Sequence, residues 1–442
     1  MPPRSGSHDA ERLIPDEGPI DTALLPHSAV VGADGRLSVG GLDLVELAER
    51  FGTPLFVYDE AHLRTRCRQA LSAWGEGVAY ATKAFLCVAM ARLAHEEGMC
   101  LDVSTGGELH VALSAGVPAD RLVLHGNNKS DAELEAALQA GVGRIVIDSF
   151  DEIGRLRALL QARPATEPPA LLARVTPGVE AHTHEFVRTG QDDSKFGFGL
   201  SSGAAAAAVD ELRALPGAEL VGIHAHIGSQ VFRAESFAEE ARILGAFFAP
   251  LGLRELCVGG GLGVPYVAGE RAPSMEQWAA AVRAACAEAG VPDGTRLSAE
   301  PGRAIAAAAA VTLYRVGTIK ELPGLRTYVS VDGGMSDNPR PVLYGSGYET
   351  LLPREAAAPR PRAVRVVGKH CESGDLLVAD ARVPGDLAVG DVLATPVTGA
   401  YGYSMASNYN KVPRPAVVFV ADGQARLVVR RETVEDLVRL DC

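Results

Sequence analysis

The sequence predicts a (β/α)8 barrel followed by a second, mostly antiparallel β domain. Three observations carry this reading. Eight apolar, β-branched runs recur at 78–82, 100–104, 121–124, 144–148, 170–175, 220–226, 255–259 and 296–300. Stretches with helical spacing lie between most of them, and strands alternating with helices mark a parallel barrel. After about residue 311 the pattern changes to short strands divided by turn signals such as Asp422-Gly423.

Residues 1–28 are rich in Pro, Gly and charge, which predicts a loosely ordered segment. Residues 28–39 read as a small hairpin around Asp34-Gly35. Residues 42–51 read as a short amphipathic helix ended by Gly52 and Pro54. The segment 1–52 is expected to join the β domain in part, the barrel to occupy 53–310, and the β domain 311–442. The barrel runs end at or just before Lys83, Ser104, His125, Asp148, Arg174, His226, Gly259-Gly260-Gly261 and Glu300. Chemistry in this fold collects at the C-terminal ends of the strands, so these tips form a candidate site. The longest gap lies between the fifth and sixth runs. It holds a polar loop, 180–195, and then an Ala-rich helix with Ser201 or Ser202 as the expected N-cap. A loop of that length is expected to be functional. In the second domain, strands are expected at 312–320, 326–331, 363–369, 376–380, 392–396 and 416–420.

The chain of 442 residues is 47% apolar, enough for two cores, and carries a formal charge of −13. That charge disfavours nucleic acid and anionic membranes as partners. The seven cysteines are scattered, odd in number and show no CxxC pair. Free thiols in a reducing compartment are expected, with no disulfide framework and no zinc site. The N-terminal residues lack the features of a signal peptide, and the weakly apolar run 304–314 is too short to span a bilayer. A cytoplasmic protein is therefore the expectation.

Several residues have chemical potential. Lys83 follows a buried strand, where desolvation would lower its pKa and activate its amine toward an aldehyde. A surface lysine at a strand end is the plain alternative. The glycines at 259–261 and Gly263 would let backbone amides approach a phosphate, which barrels commonly hold after strands seven and eight. In 300–303 (EPGR), Glu300 could pair with a cationic ring nitrogen and Arg303 with a phosphate or carboxylate, or the two could form a structural pair. His224 and His226 lie two apart and share a strand face, but no third ligand has metal spacing. Cys371 stands beside Glu372 and close to Asp375, and gains interest only if it meets the barrel mouth.

Taken together, the motifs resemble the fold-type III pyridoxal-phosphate decarboxylases over roughly residues 30–440. They are 80–84 (YATKA), 102–109 (DVSTGGEL), 125–129 (HGNNK), 177–198 (PGVEAHTHEFVRTGQDDSKFGF), 224–230 (HAHIGSQ) and 259–263 (GGGLG). They continue as 300–303 (EPGR), 332–344 (DGGMSDNPRPVLY), 371–375 (CESGD) and 399–410 (GAYGYSMASNYN). The specificity lies in ten motifs in the family's order. The resemblance implies pyridoxal 5'-phosphate held covalently by Lys83, with Glu300 on the ring nitrogen and His226 stacked on the ring. Ser229, Gly261, Pro301, Gly302 and Arg303 would surround the phosphate. Arg303, Arg340 and Tyr344 would bind substrate carboxylate, Glu372 the distal ammonium, and Tyr401 both cofactor and substrate. Cys371 would protonate the carbanion.

It further implies that Cys371, Glu372 and Tyr401 do not share the other residues' pocket within one chain. Some of them would reach in from the partner of a homodimer with shared active sites. The implied reaction is decarboxylation of meso-2,6-diaminopimelate to L-lysine and CO2, the last step of lysine biosynthesis. Relatives acting on ornithine, lysine, arginine or a carrier-protein-bound amino acid are the alternatives. Glu372 in the CESGD motif favours the first. The related alanine racemases carry an arginine where this chain has Glu300, and a purely partner-binding relative would not need both Lys83 and Cys371. The chain departs from the pattern at Phe85-Leu86-Cys87, where many relatives have an asparagine, and in residues 1–28.

Overall fold

The computed structural model describes residues 17–162, 167–178 and 193–442. Each of the eight predicted runs forms a strand. They are Ala79–Ala81, Cys100–Val103, Leu122–Leu124, Arg144–Ile147, Ala170–Thr176, Glu219–His224, Glu255–Cys257 and Arg296–Ser298, paired in parallel in chain order. Backbone bonds from Ala79 N–H to Ala299 O (3.0 Å) and from Ala81 N–H to Pro301 O (3.2 Å) bring the last edge back to the first. Inside the barrel, Val123, Val146, Leu172 and Val221 form a buried apolar plug. Below it, at the strand starts, Arg144 holds Glu255 bidentately at 2.6 and 2.7 Å. The interior is thus largely filled from below, and the large cavity opens at the C-terminal end.

Capping chemistry sets where the outer helices begin. Ser130 with Glu133 and Ser274 with Gln277 form capping boxes for Asp131–Ala140 and Met275–Glu288. The expected serine cap of the Ala-rich helix is not used. Ala204–Arg213 starts after Gly203, whose φ of 77° suits glycine, and Ser202 Oγ donates to Gly199 O at 3.2 Å and accepts from Ala204 N–H at 3.4 Å.

The second domain is built on the long strand Ala310–Leu322. Its sheet runs in the order Leu376–Val383, Arg362–Val367, Arg326–Val331, Ala310–Leu322, Leu55–Asp59, Ala416–Ala421, Gln424–Val429, and Val392–Pro396 also pairs with the long strand. Most of these pairs are antiparallel; Arg326–Val331 with Arg362–Val367, and Ala416–Ala421 with Leu55–Asp59, are parallel. Leu55–Asp59, counted with the barrel from sequence, therefore belongs to this sheet. Its five residues are all buried, because strands cover both edges and cores lie on both faces.

Val30–Val31 and Leu37–Val39 form the expected hairpin, but with Leu42–Asp43 they make a separate three-stranded sheet. It reaches the large sheet through Gly423 N–H to Gly40 O at 2.8 Å. Gly40 must be glycine: its φ is 60°, and a Cβ there would lie 2.9 Å from the Val420 backbone. Part of the segment expected to be loose is packed, since Leu24 and Leu25 are buried and Arg360 Nε donates to Gly18 O. Residues 1–16 and most of the predicted functional loop (179–192) lie outside the described residues. All seven cysteines are free. Among the described residues, no helix is long and apolar enough to cross a membrane.

Candidate active site

A cavity of about 380 Å3 lies at the C-terminal ends of the barrel strands, where the second domain meets the barrel. Lys83, His226, Ser229, Gly261, Glu300, Pro301, Gly302, Arg303, Arg340, Tyr344 and Tyr401 all line it. Lys83 sits in a 3-10 turn, Thr82–Ala84, directly after the first strand. Its side chain has accessible surface, yet dense protein surrounds its amine; both hold because that surface faces the cavity. Its pKa is not lowered as expected from sequence. Burial pushes it down, but the negative charge of Asp102, together with Tyr401 and Glu300, outweighs burial and raises it.

Glu300 is buried beyond the eighth strand. His125 Nε2 lies 2.9 Å from one carboxylate oxygen and His224 Nε2 2.9 Å from the other. Burial opposes the charge, but the two imidazoles hold the carboxyl well below its usual range. His125 also faces Asp102 at 3.7 Å and is shifted up despite its burial. His224 is shifted down by burial, which Glu300 only partly offsets. Of the two imidazoles, only His125, which faces two carboxylates, is shifted up.

The two histidines expected to share the sixth strand do not act together, since the strand ends at His224. His226 turns to the glycine loop, where its Nδ1 accepts from Gly260 N–H at 3.0 Å. Burial, aided by Lys83 and Arg174, pushes its pKa well down, so the ring is neutral. The ligand-capable group that does form is His125, His224 and Glu300, whose atoms lie within 4.8 Å of one another. There, each glutamate oxygen is already matched with a histidine.

The glycine loop wraps tightly around this floor. A Cβ on Gly260 would lie 2.3 Å from Glu300 O, and one on Gly261 would lie 2.4 Å from Gly228 O. Above it, Arg303 donates to Ser229 Oγ at 2.9 Å and to the Tyr266 hydroxyl at 2.7 Å. Arg340 donates to the Tyr348 hydroxyl at 2.6 Å, and its guanidinium lies 4.1 Å from the centre of the Tyr266 ring. Both arginines are buried, and their Nε–H groups have no hydrogen-bond partner among the described residues. Every hydrogen-bond partner found for them there is a hydroxyl, not a carboxylate. Two buried cations without a countercharge make a site for an anion.

Tyr401 departs from the expectation drawn from the resemblance. It faces the cavity of its own chain, with the Arg303 guanidinium 4.7 Å from its ring centre. Tyr401 N–H binds Ala84 O at 2.8 Å, which ties the residue to the Lys83 turn. Cys371 and Glu372 are exposed and do not line the cavity. Their turn is held from below by Asp375, which accepts from Met335 N–H at 2.7 Å and His370 N–H at 2.8 Å. The geometry also brings in residues to which sequence reasoning assigned no role. His125, Asp102 and Arg174 lay in recognised motifs or at strand tips, whereas Tyr266 and Tyr348 carried no signal.

Residues 60–307 match the family model for the pyridoxal-binding domain of the pyridoxal-dependent decarboxylases. A diaminopimelate decarboxylase of Mycobacterium tuberculosis is 48% identical over 426 residues, covering 92% of this chain and 95% of that protein. The chain belongs to the diaminopimelate decarboxylase family. A family member from Actinosynnema pretiosum is 50% identical over 413 residues, covering 92% of each protein. The crystal structure of the M. jannaschii diaminopimelate decarboxylase in complex with L-lysine superposes with a TM-score of 0.87. It shares 32% identity and covers 94% of this chain and 98% of that one.

Pyridoxal phosphate is the cofactor of this family, and the residues present fit it. An amine, a carboxylate and a glycine loop with a serine hydroxyl line one cavity, with Lys83 and Glu300 both on its wall.

Proposed function

We propose that this protein removes the carboxyl group at the D centre of meso-2,6-diaminopimelate, releasing CO2 and L-lysine. One observation carries the choice of substrate: Arg303 and Arg340, buried and without a carboxylate partner among the described residues, face the same cavity as Lys83 and Glu300. A simple diamine product or a substrate with one carboxylate leaves that charge unmatched at the distal end. Diaminopimelate brings a second carboxylate to it.

Bound in this cavity, pyridoxal phosphate supplies a sink for the electron pair left on the α-carbon when CO2 departs. Lys83 provides the amine that anchors the cofactor. Glu300, held ionised by His125 and His224, would accept a hydrogen bond from the cofactor's ring nitrogen and favour its protonated form. The neutral His226 ring offers a flat face to the cofactor. Ser229, Gly261, Pro301 and the backbone amides of Gly302 and Arg303 would hold its phosphate end. Arg303, Arg340 and Tyr344 bind the distal carboxylate, and Tyr401 closes the cavity beside Arg303.

Cys371 and Glu372 act from a second copy of the chain in a homodimer. Their exposure on an anchored turn supports this, since a proton donor on the surface of one chain can complete the cavity of another. Glu372 binds the distal ammonium, and Cys371 Sγ–H delivers a proton to the α-carbon. The reaction belongs to lysine biosynthesis in the cytoplasm. The deciding assay measures CO2 release from meso-diaminopimelate, L-lysine and L-ornithine side by side. Turnover of meso-diaminopimelate alone is expected. Brisk release from L-lysine or L-ornithine, with none from diaminopimelate, overturns the proposal.

A further inference from the structure

Tyr266 touches both carboxylate-binding arginines. Its hydroxyl accepts from Arg303 Nη1 at 2.7 Å, and its ring face lies 4.1 Å from the Arg340 guanidinium. Its ring edge meets Tyr348 at 5.2 Å between centroids, and Tyr348 in turn accepts from Arg340. The two arginines come from different parts of the chain. Arg303 opens the short helix Arg303–Ala306 beyond the last barrel strand, and Arg340 opens Arg340–Tyr344 beyond a strand of the second domain. Tyr266 is the side chain that joins them.

The loop carrying Tyr266 is pinned on both sides. On the barrel side, Gln230 and Val264 exchange two hydrogen bonds at 3.0 and 3.1 Å. On the other side, Ala268 N–H binds Glu349 Oε1 at 2.8 Å, and Glu349 is locked in a buried pair with Arg360 at 2.9 Å. Within the loop, Tyr266 N–H is taken by Glu270 at 2.8 Å. A buried tyrosine on so constrained a loop loses little freedom when it orders its neighbours. A guanidinium has several rotamers, and the hydroxyl and ring face of Tyr266 select one for each arginine.

We infer that Tyr266 is a positioning residue that sets the spacing of Arg303 and Arg340, and with it the preference for a ligand bearing a distal carboxylate. This rests on the substrate reading above. It predicts that the hydroxyl and the ring contribute separately: the first orients Arg303, the second Arg340.

The test uses cofactor-loaded enzyme as wild type, Tyr266→Phe and Tyr266→Leu, with cofactor content checked by absorbance and folding by thermal melting. Two quantities are read: kcat and KM for meso-diaminopimelate, and the ratio of inhibition constants for cadaverine and L-lysine. L-Lysine keeps the distal carboxylate and cadaverine lacks it. In Tyr266→Phe, KM should rise by about tenfold to a hundredfold, the scale of one hydrogen bond to a charged group, with the larger share of the loss in KM. The cadaverine-to-lysine ratio should fall by a similar factor. Tyr266→Leu should lose more in both. An unchanged ratio in a folded, loaded Tyr266→Phe enzyme overturns the inference, as does a loss confined to kcat. A wild-type enzyme that binds cadaverine as well as L-lysine overturns the substrate reading itself.

Discussion

Replacing Arg340 by methionine keeps most of the apolar length of the side chain and removes the guanidinium. Three terms set the effect on the ligand-free protein. The charged hydrogen bond to Tyr348 at 2.6 Å is lost, at about 1.5–3 kcal/mol. The contact with the Tyr266 ring at 4.1 Å is lost, at about 0.5–2 kcal/mol. Against these, a buried cation without a carboxylate partner among the described residues is no longer held out of water, a penalty of several kcal/mol. The sum lies within about 2 kcal/mol of zero, so the melting temperature should move little. Catalysis should respond otherwise. A desolvated, charge-assisted contact to the distal carboxylate is worth about 2–5 kcal/mol in kcat/KM, a loss of roughly thirty- to several-thousandfold. Denaturant unfolding of the ligand-free protein and steady-state kinetics on the same preparation measure the two sides. A large loss of stability with kcat/KM nearly intact would show that Arg340 is a structural cation and refute the reasoning.

Borohydride reduction of the loaded enzyme should fix the cofactor to the peptide containing Lys83; a label on Lys129 or Lys195 would reassign the anchoring amine. Lys83→Ala and Cys371→Ala proteins should each be nearly inactive. After subunit exchange their mixture should recover about one quarter of wild-type activity, because half the dimers hold one intact site. No recovery after verified exchange would place both residues in one chain's site. Glu240 is fully buried with no hydrogen-bond partner for either oxygen among the described residues, and burial raises its pKa well above the usual value. Its folded pKa exceeds the unfolded one, so its contribution to stability is full below about pH 4 and is lost as pH rises toward the folded pKa. Glu240→Gln should therefore gain stability relative to wild type between pH 5 and pH 8, to be checked by urea titration; a difference that does not vary with pH would show that Glu240 has a partner.

Much of this molecule was legible in its residues. Most of the barrel strands announce themselves because they are buried on both faces and so read as apolar runs, whereas the eighth, Arg296–Ser298, is only partly buried. The candidate residues lie just past them, at the end where the cavity opens, and the motifs of the resemblance singled out Lys83 and Glu300 among them. The motifs beyond the barrel marked Arg340, Tyr344 and Tyr401 by resemblance.

What the sequence could not contain are relations between distant positions. Leu55–Asp59 is an apolar run like the others, and only its partners at Ala310–Leu322 and Ala416–Ala421 assign it to the second domain. Tyr401 enters its own chain's cavity because a backbone bond to Ala84, more than three hundred residues earlier, holds it there. The ionisation of Glu300 depends on histidines from two other strands, and the raised pKa of Lys83 on Asp102 from a third. Tyr266 has no motif at all, and its role arises where a barrel loop meets an arginine of the other domain. Burial and periodicity are local properties written along the chain. Charge state, side-chain orientation and the spacing of two cations are set by through-space neighbours, and only the closed fold decides those.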